Sequence, residues 1–156
     1  MSETPTFDVV YRYQDSEEGI AIPVTLASTN GLYRASAKVD SGAEVCLFSN
    51  EAGLQLGLDV ERGIPKTLGT IGGTRIESFG HEVVIQTFGI TMTSVVYFAK
   101  YPGITRNLLG RLGWLRNLQI GIRDYDSKLF ISDYTVAVSH ADDEAGLPNI
   151  KTSVTE

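Results

Sequence analysis

Apolar residues fall on every second position from residue 20 to 28, with Ile20, Ile22, Val24 and Leu26 on one face. That period of two is the mark of a half-buried strand. Asn30-Gly31 follows, and because both residues tolerate positive φ the pair predicts a hairpin turn. The next strand sets Tyr33, Ala35, Ala37 and Val39 on one side and Arg34, Ser36 and Lys38 on the other, and it ends at Asp40-Ser41-Gly42-Ala43. After the apolar run Val45-Cys46-Leu47-Phe48, Ser49 or Asn50 can cap a short helix that carries Glu51 in its first turn and ends near Gly57. Residues 68–80 (LGTIGGTRIESFG) are glycine-rich in the middle and β-like on both flanks. Residues 81–87 and 90–98 predict another hairpin across Phe88-Gly89. Leu108, Leu112 and Leu115 recur at i, i+4 and i+7, which predicts a helix over residues 110–118. Short strands at 119–123 and 128–132 flank the turn Asp124-Tyr125-Asp126-Ser127.

The pattern predicts a mainly β domain with two short helices over residues 20–138. Residues 1–19 form an N-terminal segment whose aromatic stretch (Phe7, Val9, Val10, Tyr11, Tyr13) reads as a strand able to cover a sheet edge, in a dimer for example. Residues 139–156 are polar and aperiodic and read as a flexible tail.

Composition narrows the class. The chain has 156 residues, 42% hydrophobic and 21% charged, which suits one globular domain. A net charge of −6 with no basic block argues against nucleic acid as a partner. No apolar run is long enough for a membrane helix, and the N-terminus lacks the basic and apolar regions of a secretory signal. The single cysteine fits a reducing compartment, so a cytoplasmic location is expected. Cys46, His81 and His140 are too scattered for a metal site, and no cofactor motif stands out. Cys46 has no histidine near it in sequence and reads as a small packing residue. Trp114 reads as core or interface, and His81 as a surface or packing histidine.

The candidate chemistry lies at Asp40-Ser41-Gly42-Ala43. These are common turn residues, and an Asp-Ser/Thr-Gly triplet arises by chance in roughly one chain in ten of this length, so alone it decides nothing. Its setting says more. A strand precedes it and an apolar run follows, so the carboxylate is expected to be partly desolvated, with Gly42 turning backbone N–H groups toward it. Two further features accompany it: Ile71-Gly72-Gly73 between β-prone flanks, and Leu108-Leu109-Gly110-Arg111 before the expected helix.

Taken in this order, the three elements resemble the retroviral-type aspartic proteases, the retropepsins, and above all their small bacterial relatives. The resemblance spans about residues 20–132. It implies a closed β-barrel with short helices and one catalytic aspartate, Asp40, per subunit of a homodimer. It further implies that Ser41 bonds across the dimer, that Gly42 and Ala43 complete the active loop, and that Ile71, Gly72 and Gly73 form a flap tip. Leu108, Leu109 and Gly110 pack behind the loop, and an ion pair between Glu44 and Arg111 braces it. The implied activity is peptide-bond hydrolysis on a peptide or protein substrate. Leu47, Ile71, Ile76 and Leu108 are expected to make apolar pockets, with Glu44 also at the substrate side.

Two carboxylates must share one proton for this chemistry, and the sequence holds a single Asp-Ser-Gly, so the second must come from another copy. Two other readings stand beside it. One is a peptide-binding or assembly module that keeps the fold with weak or no catalysis. The other is an unrelated small barrel with Asp40 in an ordinary turn.

Overall fold

The structure, a computed structural model, describes residues 3–133, so the expected tail at 139–156 lies outside the described residues. Its elements in chain order are β1 (Val9–Arg12), β2 (Ala21–Ser28), β3 (Gly31–Val39), β4 (Leu47–Phe48), α1 (Asn50–Gln55), β5 (Ile64–Gly69), β6 (Arg75–Thr87), β7 (Ile90–Ala99), β8 (Asn107–Leu109), β9 (Leu118–Arg123) and β10 (Lys128–Asp133). They divide into two compact units, Gln14–Arg116 and a second formed by the segments before and after it.

In the larger unit, six strands hydrogen-bond in the order β2-β3-β8-β4-β7-β6. Antiparallel pairing of β2 with β6 (Thr25↔Gln86, Leu26↔Ile85, Ala27↔Val84) returns the sheet on itself as a closed barrel. Closure removes the exposed edges of these strands. Only β5 stands outside the ring, paired to β6. The alternation read at residues 20–28 and 33–39 is the inward-outward alternation of β2 and β3: Ile22, Val24, Leu26 and Ala37 are buried with Phe48, Ile85, Val96, Phe98, Leu109 and Trp114. Each large apolar side chain fully withdrawn from water contributes about 1.5–3 kcal/mol.

The hairpin between β2 and β3 forms as expected, but for a different reason. Ser28 faces Gly31, so the loop is Thr29-Asn30, and neither residue has positive φ. Gly31 serves packing instead: a Cβ there would run into the carbonyl oxygen of Gln55 and lie 3.1 Å from the Leu56 Cα. The second hairpin does use positive φ, with Phe88 at 52° and Gly89 at 79° between Thr87 and Ile90. That is the turn whose twist matches paired strands. The first helix is as read, with the Ser49 hydroxyl accepting from the Ala52 N–H at 3.2 Å and Gly57 at φ 72°.

The helix expected over residues 110–118 does not form. The Arg111 and Leu112 N–H groups donate to Ala43 and Glu44 carbonyls at 2.9 and 2.8 Å, and Gly113 turns to φ 104°. Only a short 3-10 turn follows, at Leu115–Asn117. Tertiary hydrogen bonding here overrides an apolar period that suited a helix. Residues 68–80 and 81–87 also prove not to be separate elements, since β6 runs unbroken from Arg75 to Thr87.

In the smaller unit, β1, β10 and β9 form an antiparallel sheet, with Val9 facing Ile131 and Arg12 facing Lys128. The aromatic N-terminal strand thus pairs with its own chain. Leu129 and Ile131 are buried in this unit. The Tyr13 hydroxyl donates to Asp124 at 2.5 Å, and Arg123 grips Asp126 through two bonds of 2.9 Å. Among the described residues no helix is long and apolar enough to cross a membrane.

Candidate active site

Asp40 directly follows β3, where the chain leaves the barrel wall. Its backbone N–H donates to the Leu109 carbonyl at 3.0 Å. Gly42 donates its N–H to the Asp40 carboxylate oxygen Oδ1 at 2.9 Å, and Ala43 donates to the Asp40 carbonyl at 3.2 Å. The turn thus points one backbone donor, the Gly42 N–H, at the carboxylate, and a second at the Asp40 carbonyl. Asp40 is half-buried, while Ser41 and Gly42 are exposed.

What holds the loop is β8. It runs parallel to β3 through Ala37↔Asn107, Lys38↔Leu108 and Val39↔Leu109, and antiparallel to β4 at Leu47↔Leu108. The loop between β3 and β4 is therefore tied at both feet by one strand. Beyond it, the Arg111 and Leu112 N–H groups reach the loop's own carbonyls. Gly110 is where the two backbones cross: a Cβ there would overlap the Val45 carbonyl oxygen and lie 2.8 Å from that of Ala43. Leu109 is wholly buried beneath the crossing. Leu108, Leu109 and Gly110 thus lie behind the aspartate loop.

A cleft of about 280 Å³ opens beside this loop. Gly42, Ala43 and Glu44 line one side, Thr67 and Leu68 of β5 another, and Leu47, Ile76 and Leu108 supply apolar wall. The hairpin of β5 and β6 carries the glycine pair at its tip. There Thr70 N–H donates to the Thr74 carbonyl at 2.9 Å, Gly73 N–H to the Thr70 carbonyl at 3.0 Å, and Gly73 adopts φ 81°. Ile71 is fully exposed at this tip and does not line the cleft, unlike the other three apolar residues expected there.

The expected ion pair between Glu44 and Arg111 is not made. Glu44 bonds Lys66 of β5 at 3.3 Å, joining the active loop to the hairpin. Arg111 instead lines a surface hollow with Ser41, Leu115 and Arg116. Sequence reading missed Lys66 because β5, with Pro65 and alternate Lys66 and Thr67, shows no apolar period. It also missed Asn107, whose side chain accepts from the Ser49 N–H at 3.2 Å and donates to the Ser36 carbonyl at 3.4 Å, linking β8 to the helix cap and to β3. No local signal marks that residue.

The remaining reactive groups are engaged in packing. Cys46 is fully buried, and desolvation pushes its thiol up to about 11. Trp114 donates its indole N–H to Thr87 at 3.2 Å in the core. His81 meets the Val60 carbonyl at 2.8 Å and lies against Phe98.

A closed barrel with a clamped Asp-Ser-Gly loop beside a hairpin-bordered cleft defines a retropepsin-like aspartic protease fold. The chain belongs to the aspartyl protease family, whose profile matches residues 22–121. Among solved structures, a retropepsin-like aspartic protease from Rickettsia conorii is similar with a TM-score of 0.55 and 17% identity, over 80% of this chain and 97% of that one. The EIAV protease complexed with the inhibitor HBY-793 is also similar, with a TM-score of 0.47 and 22% identity over 63% of this chain and 86% of that one. No curated protein matches the sequence.

Proposed function

We propose that the protein is a homodimeric aspartic endopeptidase that hydrolyses peptide bonds with water activated by two Asp40 carboxylates, one from each subunit. The carrying observation is Asp40 itself, half-buried and bonded by Gly42 N–H, in a clamped loop beside an open apolar cleft. Two such carboxylates brought together cannot both ionise easily, so the pair retains one proton. The ionised member takes a proton from water as its oxygen attacks the scissile carbonyl carbon, and the protonated member gives its proton to the carbonyl oxygen. Collapse of the tetrahedral diol breaks the C–N bond: the leaving nitrogen takes the proton now held by the first carboxyl, and a diol hydroxyl returns its proton to the second carboxylate, so the dyad again holds one proton.

A dimer follows from the count. The full sequence contains one Asp-Ser-Gly, and a two-fold axis naturally duplicates one residue at its centre. Asp124 and Asp126 are bound to Tyr13 and Arg123 in the other unit. Ser41, exposed beside Asp40, would bond across the axis, and β1, an edge strand of its sheet, would contribute to the interface. An extended peptide would add its backbone beside β5, with alternate side chains entering pockets walled by Leu47, Leu68, Ile76 and Leu108. The buried lone thiol suits a cytoplasmic setting.

The test is sedimentation of the purified protein together with cleavage of a mixed peptide library by wild type and Asp40→Asn. A dimer whose cleavage vanishes in the variant is expected. Cleavage that survives the substitution contradicts the mechanism. Peptide binding by a dimer that cleaves nothing would establish a binding module in its place.

A further inference from the structure

A second hollow, of about 330 Å³, continues the cleft: Leu47, Ile76 and Leu108 border both. Its other walls include Ile104 and two basic side chains, Lys38 and Arg106. Lys38 lies on the polar face of β3 two residues before Asp40, about 7 Å along the chain. It also faces Leu108 in register. Among the described residues no carboxylate lies within ion-pair distance of Lys38. Among the described residues Arg106 makes one ion pair, with Glu18 at 3.9 Å, both side chains more than half exposed. So loose a contact is easily exchanged for another carboxylate. It places one carboxylate, that of Glu18, beside the rim.

We infer that this hollow is a specificity subsite for an acidic side chain of the substrate, Glu above all, next to the scissile bond. The inference rests on the endopeptidase reading. The aliphatic stem of the glutamate lies along Leu47, Ile76 and Leu108, and its carboxylate reaches Lys38 and Arg106. An apolar stem with a charged tip matches this wall and rim better than a wholly apolar side chain, which would leave the lysine facing hydrocarbon. Glu18 competes for the same rim.

The test uses full-length protein and paired peptides that differ by Glu or Gln at each position around the cleaved bond. Wild type is expected to cleave the Glu member about fivefold faster at one position flanking the bond, the worth of a partly exposed charge pair. Lys38→Arg keeps the ratio, Lys38→Met lowers it, and Lys38→Met combined with Arg106→Met brings it to about one, as expected of lost charge pairs. Lys38→Glu turns the preference toward Gln, and Glu18→Gln raises the wild-type ratio. A ratio near one at every position, or one that Lys38 substitutions do not move, overturns the subsite. If wild type cleaves nothing, the endopeptidase reading alone fails. The same Glu and Gln pairs, measured by fluorescence polarisation on Asp40→Asn, then decide the subsite by their relative affinity.

Discussion

Gly110 carries the steepest structural demand of any glycine near the site. Two backbones cross where its Cβ would be, and neither side of the contact is a flexible side-chain end. Gly110→Ala is therefore expected to destabilise the fold by about 2 kcal/mol or more, measured as a lowered urea midpoint. Cys46 gives a pH-dependent prediction. Its thiol ionises at about 11 in the folded chain against 9.0 ordinarily, so between those values the unfolded chain holds fewer protons. Stability contributed by the buried neutral thiol is complete below about pH 9 and is lost as pH rises through 11. The same burial predicts negligible labelling by thiol reagents in native protein near neutral pH and full labelling in urea. Much of this scale was legible in the sequence. Asp40, Gly42 and Gly110 carry chemistry that a turn or a close approach demands, whatever surrounds them. The partners of Glu44 and Asn107 were not, because they are chosen by strands far away in sequence.

Among the elements, strands with a two-residue period were read correctly, and so was the capped helix α1. The segment 110–118 was misread because its leucine spacing fits a helix while its N–H groups serve the active loop. A short apolar period cannot report that competition. β5 was hidden because Ile64-Pro65-Lys66-Thr67-Leu68 shows no apolar period, yet it borders the cleft and holds Lys66 against Glu44. Lys66 and Glu44 side chains are 30% and 60% exposed, so Lys66→Met should shift stability by less than about 0.5 kcal/mol. Any larger effect of that substitution on peptide cleavage then reports on the joint between hairpin and loop rather than on folding. In the β5–β6 hairpin, a Cβ at Gly69 or Gly73 would meet nothing within 4 Å. Amide hydrogens of Ile71 and Gly72 are expected to exchange with solvent far faster than those of the β6–β7 ladder from Phe79 to Ile85, read by NMR. Equal protection of the two would contradict an open tip.

The barrel explains why one aspartate can be held so firmly, since β8 ties the ends of its loop into a ring of strands closed by the pairing of β2 with β6. Activity, in this account, belongs to a pair of such barrels and not to one. Specific activity should therefore rise with protein concentration and level off as the pair saturates. The most direct measurement mixes wild type with Asp40→Asn, allows subunits to exchange, and follows peptide cleavage at constant total protein. A centre built from both subunits is inactive in every mixed pair, so an equal mixture should retain about one quarter of the wild-type rate, following the square of the wild-type fraction. A rate that falls in simple proportion, to about one half, would mean that each chain works alone and would contradict the shared centre.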